Sequence, residues 1–274
     1  MTVTVRPKVS QILTAAFEGI ARIYFTGVIG CQHYLSNKHS KPIATTIMIS
    51  VPFQKPVHIA LPVVYRYMES QYIDKFFNEG ILRVSSFKRF VNYPDEIRGD
   101  RSEGSGAFKA NSGGFQVLAM TNVGHDAYIL CTSLVESNEL KSTFDVAECL
   151  KIINPLGFSN AIMNAIPGTT QSFLGFCNYQ EHRVVQKTIE GLSVNDFTND
   201  EGELIIGGET FWQRNQELVG NGTDLLFLKE RKYQNQVEFR FVWTVNTAFF
   251  DVPNYLDIVC KEAIQFCERS PTGN

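Results

Sequence analysis

The sequence predicts an α+β fold with split, mostly antiparallel β-sheets and flanking helices. After residue 60, segments that read as strands outnumber those that read as helices. Apolar residues make up 44% of the 274-residue chain and 21 residues are Phe, which suits a β-rich core. Near the C-terminus, Gln236-Val237-Glu238-Phe239-Arg240-Phe241-Val242-Trp243 opens with strict polar–apolar alternation, the period of two of a strand.

Residues 1–60 differ in character from the rest and read as an N-terminal extension, a candidate docking segment. They offer a helix over 10–25, a polar stretch at 36–41 and a strand at 43–51, with Pro52, Pro56 and Pro62 marking the way into the main domain of residues 61–274. That domain opens with a strand at 63–68, then a short helix at 69–79 stopped by Gly80. A second strand follows at 81–87, with Leu82 and Val84 facing the core and Arg83 and Ser85 opposite. The polar, glycine-rich residues 88–114 read as a long surface loop with room for a short helix. Strands are expected at 115–122 and 127–133, a short helix or strand at 144–152, a helix at 158–166, and a hairpin of 174–179 with 184–187. A mixed stretch at 224–229 leads into the Glu238 strand, and a helix at 257–268 closes the chain.

The formal net charge is −3, so no global field pulls the chain onto nucleic acid, and any such contact needs a local patch. None of the six cysteines forms a CxxC pair. They read as reduced core thiols of a cytoplasmic protein, without zinc-ligand spacing. Glu18 and Arg22 interrupt the apolar stretch 12–31 and no small-residue cleavage signal follows, so neither a signal peptide nor a membrane span is expected.

On an extended strand, Gln236, Glu238 and Arg240 share one face. That face suits the wall of a binding cleft, or else an edge strand facing water. Glu238 is accordingly either a site carboxylate or the structural partner of Arg240. Residues 95–103 form the densest charge cluster; Asp95, Asp100 and Glu103 with Arg98 and Arg101 offer a phosphate contact, a metal site of nuclease type, or a solvated ion-pair loop. Lys88, Arg89, Arg98 and Arg101, interleaved with Phe87, Phe90 and Tyr93, form a basic–aromatic mixture suited to single-stranded nucleic acid or to loop packing.

Four segments in order carry a family likeness: Tyr65-Arg66-Tyr67, Leu82-Arg83-Val84-Ser85-Ser86, Cys131-Thr132-Ser133 and Glu238-Phe239-Arg240-Phe241. Over residues 62–245 the chain resembles the ADP-ribosyltransferase superfamily, and in particular divergent bacterial members of phage-defence and toxin–antitoxin loci. The resemblance implies NAD as the bound substrate and Glu238 as the carboxylate beneath the reacting ribose. It places Gln236 towards the acceptor, a macromolecule such as RNA or protein. Arg66 is implied to hold the pyrophosphate or ribose, Tyr65 or Tyr67 to stack on nicotinamide, and Arg83, Ser85 or Ser86 to support the ribose, with Arg98 at a phosphate. Residues 65 and 66 face opposite sides of a strand, so the tyrosine and arginine roles partly exclude each other. A toxin of this kind also implies an antitoxin partner. The alternatives are a metal-dependent nuclease using residues 95–103 and a non-catalytic interaction module.

Overall fold

A computed structural model describes residues 61–270, apart from Glu96, Arg98, Gly113, Ile206 and residues 248–250. The expectations for residues 1–60, and the placing of Arg98 at a phosphate, lie outside the described residues. The chain begins with β1 (Val64–Met68), α1 (Ser70–Glu79), β2 (Ile81–Ser86) and α2 (Phe87–Val91). It continues through β3 (Ser105–Ser112), β4 (Phe115–Asn122), β5 (Ala127–Ser133), α3 (Asn138–Thr143), β6 (Glu148–Ile152) and α4 (Pro155–Ala165). Next come β7 (Thr169–Phe176), β8 (Asn178–Gln180), β9 (Val184–Lys187), α5 (Glu209–Val219), α6 (Thr223–Leu226) and β10 (Leu228–Glu230). The last elements are β11 (Glu238–Val245), β12 (Tyr255–Val259) and β13 (Cys267–Arg269), with a 3-10 turn at Arg231–Gln236 before β11 and another at Lys261–Phe266 before β13. The architecture is α+β and mostly antiparallel.

The main sheet is forked. One edge of β5 pairs with β11 along its length, and β11 pairs in turn with β7. The other edge of β5 is shared: Tyr128 and Ile129 pair with Ser86 and Ser85 of β2, while Ser133 pairs with Tyr65 of β1. Residues 130–132 lie between these two registers. Both β1 and β2 run antiparallel to β5 and therefore parallel to each other, joined by α1 as parallel strands require. Each arm of the fork carries a further antiparallel partner, β12 on β2 and β6 then β13 on β1. Beside this sheet stand the three-stranded sheet β4-β3-β9 and the parallel pair β10-β8.

Alternation along β11 divides two cores. Phe239, Phe241 and Trp243 pack with Phe76, Leu82 and Phe158 under α1 and α4, and the Trp243 indole N–H donates to the Ser159 carbonyl at 3.1 Å. Val242 faces the other way, against Phe87, Ile129, Phe173 and Phe227. In α1, Ile73 and Phe76 are buried at helical spacing and Gly80 takes the left-handed C-cap at φ 77°. α4 is opened by Asn154, whose side chain accepts from the Gly157 N–H, and by Pro155 in the first turn.

Five expectations are corrected. β11 is a central strand rather than an edge, because β5 and β7 take both its sides. The strand starts at Glu238, since residues 231–236 form a 3-10 turn and Val237 takes a left-handed conformation; Gln236 therefore does not sit one pleat from Glu238. Residues 174–187 are not a hairpin: β7 joins β11, β8 joins β10 and β9 joins β3. The expected C-terminal helix is two strands around a 3-10 turn. Its apolar residues fit both a helical and a two-residue period, and the open edges of β2 and β6 select the strands. Within the expected loop 88–114, residues 105–112 instead form β3, drawn into a hairpin with β4.

Gly80 gives the fold its first test. A Cβ there would sit 2.8 Å from the Lys261 backbone nitrogen, on top of the left-handed φ. Gly80→Ala is expected to cost about 1–2 kcal/mol or more in urea denaturation, whereas Gly202→Ala, at similar φ but in open space, should cost less.

Candidate functional site

A cavity of about 400 Å³ lies where the sheet forks, with Cys131, Thr132 and Ser133 of β5 in its lining. Arg66 and Tyr67 come to it from β1, Arg83 and Ser85 from β2, and Gln236 and Glu238 from the entry to β11. Of the residues to which the resemblance assigns a role at the site, these six are brought together. Tyr65 and Ser86 do not line the cavity, and the Ser86 hydroxyl donates instead to the Asn254 carbonyl at 3.2 Å. Arg66 and Tyr67 both reach the cavity although they alternate along β1. The cavity lies beside the diverging edge of the strand rather than over one face, so both sides can contribute.

Each side chain has an identifiable hold. Arg66 Nη1 donates to the Cys131 carbonyl at 2.8 Å, satisfying backbone in the gap between the two registers of β5. The Tyr67 hydroxyl donates to the Val135 carbonyl at 2.8 Å and accepts from the Ser137 N–H at 2.9 Å, which fixes its ring at the wall. Arg83 is a two-pronged partner of Asp257 on β12, at 2.7 and 2.6 Å, and lies 4.0 Å from the centroid of the Tyr255 ring. Gln236 donates to the Ile97 carbonyl at 3.0 Å and accepts from Lys229 Nζ at 3.3 Å.

Glu238 is 3% exposed. Its Oε2 accepts from Lys229 Nζ at 2.5 Å and its Oε1 from Arg240 Nε at 2.7 Å. Its own N–H donates to the Tyr179 hydroxyl at 2.7 Å. Lys229 thus connects Gln236 to Glu238, an adjacency made by a third residue that no local pattern announces. Burial by itself would raise the Glu238 carboxyl. Arg240 and Lys229 outweigh it and hold the group well below the usual carboxylate range, so Glu238 is ionised throughout the physiological range. An acid–base catalyst needs a pKa near the working pH; this carboxylate suits electrostatic stabilisation instead. Burial also works against the Lys229 ammonium, but Glu238 prevails and keeps it charged. The Cys131 thiol is pushed up by burial and by Glu238, and so is a poor nucleophile.

Two features support this constellation from below. Val237, immediately before Glu238, has φ 43° and ψ 53°, a strained conformation for a β-branched residue. Arg240 is fully buried and makes four hydrogen bonds: one to Glu238, two to Glu103 at 2.7 and 3.0 Å, and one to the Leu226 carbonyl at 2.6 Å. Glu103 and Asp100 are therefore bound by cations, Asp100 pairing with Arg183 at 3.2 Å. Among the described residues there is no group of three or more His, Cys, Asp or Glu that could hold a metal, and no helix long and apolar enough to cross a membrane. No family model, no curated protein and no solved structure matches the chain.

Removing Arg240 would leave Glu103 and Glu238 in low dielectric with fewer partners. Arg240→Met is expected to lose about 3–5 kcal/mol in chemical denaturation. The acid response follows from Glu238. Its folded-state pKa is depressed below an ordinary 4.5, so its contribution is complete above that pH and lost as pH falls towards the folded value. Thermal midpoints across a pH series should hold from pH 5 through neutrality and fall below about pH 4.5; a midpoint unchanged down to pH 2 would contradict the assignment.

Proposed function

We propose that the protein is an NAD-dependent ADP-ribosyltransferase acting on a macromolecule, as a cytoplasmic toxin of bacterial or phage-defence type restrained by an antitoxin. The observation that carries the chemical part is the ionised Glu238 carboxylate in a fork-shaped cavity shared with Arg66, Tyr67, Arg83, Ser85 and Gln236. About 400 Å³ is within the size range of small-molecule sites. The biological setting, and RNA or protein as acceptor, rest on the sequence resemblance alone.

In this reading the nicotinamide–ribose C–N bond breaks with its electron pair leaving on nicotinamide. Positive, oxocarbenium-like charge develops on the ribose, and a fixed carboxylate nearby lowers the energy of that charge. An acceptor lone pair then forms the new bond to the same carbon and the acceptor gives up a proton. The ribose needs no protonation by Glu238, which agrees with a group that stays ionised. Arg240 and Lys229 occupy part of the carboxylate's acceptor capacity, leaving room for a ribose hydroxyl. Ser85 and Tyr67 supply a hydroxyl and a ring in the same lining. Gln236 is the group proposed to meet the acceptor.

One observation favours a non-catalytic binding module as a second reading: two cations already balance Glu238, which weakens its pull on developing positive charge. The nuclease alternative has less support, because Asp100 and Glu103 are committed to arginines.

The test is nicotinamide release from NAD by purified full-length protein, with and without RNA and protein acceptors. Glu238→Gln removes the charge at constant size and is expected to lower turnover about a hundredfold or more while leaving NAD affinity within a few-fold. Glu238→Asp, which keeps the charge but retracts it, should lose less. Chelation with EDTA is expected to leave the rate unchanged. Wild-type release from folded Glu238→Gln protein would remove the transferase reading, and NAD binding without turnover by the wild type would favour the module.

A further inference from the structure

The arm of the fork formed by β2 and β12 contains a cation that the contacts above leave unused. Arg89, on α2, lines the cavity, and its Nη1 is buried with no hydrogen-bond partner among the described residues. A buried guanidinium nitrogen without an acceptor is unfavourable and uncommon. The guanidinium carbon lies 5.7 Å from the Tyr93 ring centroid and 5.3 Å from that of Tyr255, within cation–π range. Asp257, a carboxylate that feels its charge, is already engaged by Arg83 through two hydrogen bonds and also feels Lys75. Lys75 lines the cavity too and has no ion pair among the described residues. Three cations thus surround one carboxylate at this wall. The Glu238 wall differs: there the acids Glu238 and Glu103 balance Lys229 and Arg240.

We infer that Arg89, backed by Lys75, is the anion-recognition residue of the cavity and takes the phosphate of a nucleoside diphosphate. Guanidinium presents paired donors that match phosphate oxygens, and the Tyr93 and Phe90 rings in the same lining offer faces to a base. The loop position expected from sequence to meet phosphate was Arg98; the described structure offers Arg89 for that task. The inference deepens the transferase reading by naming which residue holds the phosphate end of the substrate, but binding at Arg89 does not require turnover at Glu238.

Isothermal titration of the full-length protein with ADP, and with adenosine as the phosphate-free probe, tests it. ADP is expected to bind at least tenfold more tightly than adenosine, and more weakly as salt is raised. Arg89→Met should weaken ADP about ten- to a hundredfold, the scale of a lost charged hydrogen bond, and leave adenosine unchanged; Arg89→Lys should keep part of the preference. Because Arg89 Nη1 has no hydrogen-bond partner to lose among the described residues, the ligand-free Arg89→Met protein should lose only the aromatic contacts and melt within a few degrees of wild type. Equal affinity for ADP and adenosine, unchanged ADP affinity in Arg89→Met, or a strongly destabilised Arg89→Met protein would overturn the inference. Tighter Arg89-dependent binding of a short single-stranded RNA than of ADP would overturn the commitment to a nucleotide. Arg89-dependent ADP binding without nicotinamide release would keep the anion site and remove the transferase reading, while release with Arg89-independent ADP binding would do the reverse.

Discussion

Arg240 has no exposure to solvent, and its guanidinium gathers three separate parts of the chain: Glu238 at the start of its own strand, Glu103 in the segment before β3, and the Leu226 carbonyl at the end of α6. Taking a guanidinium out of water costs several kcal/mol, and the structure meets that cost with two carboxylates and a carbonyl in good geometry. The arrangement specifies position as much as it adds stability. If Arg240 shifted, Glu238 would lose the partner on Oε1 and the Glu103 segment would lose its anchor. Gly104 shows how tightly that segment is set: φ is 76°, and a Cβ would lie 2.3 Å from the Val123 carbonyl oxygen.

The fork in the main sheet is the second constraint, and it creates the cavity. A strand edge that changes partner part-way leaves backbone polar groups without a ladder, and these must be satisfied some other way. Arg66 does this at Cys131. The same side chain lines the cavity, so a structural need and the shaping of a site fall on one residue. The strained Val237 belongs to the same economy of position, converting a 3-10 turn into β11 immediately before the carboxylate.

The two walls of the cavity differ in electrostatic completeness. Around Glu238, opposite charges are matched and hydrogen bonds are short, which gives a rigid, ionised group. Around Asp257, cations exceed carboxylates, and Arg89 Nη1 has no hydrogen-bond partner among the described residues. A polarity of this kind suits an elongated ligand with an anionic portion at one end and a developing cation at the other. The proposed substrate has that character.

Alternation along β2 and the glycine stop of α1 were legible in the residues alone. Leu82 and Val84 could be placed inward and Arg83 and Ser85 opposite because alternation is a local property of the backbone. Gly80 marked the end of α1 because only a residue without Cβ sits comfortably at that φ. Gln236 and Glu238 stood out as polar residues beside an apolar strand, and Arg89 as part of a basic–aromatic run. Which of these meet depends on folding. Lys229 is nine residues from Glu238 on another strand, Glu103 is 137 residues from Arg240, and Asp257 is 174 residues from Arg83. Strand order was equally hidden, since β11 became central and residues 255–259 became a strand through the pairing edges that distant segments offered. Local chemistry sets which residues a segment can present; which partners they find depends on contacts between segments far apart in the chain.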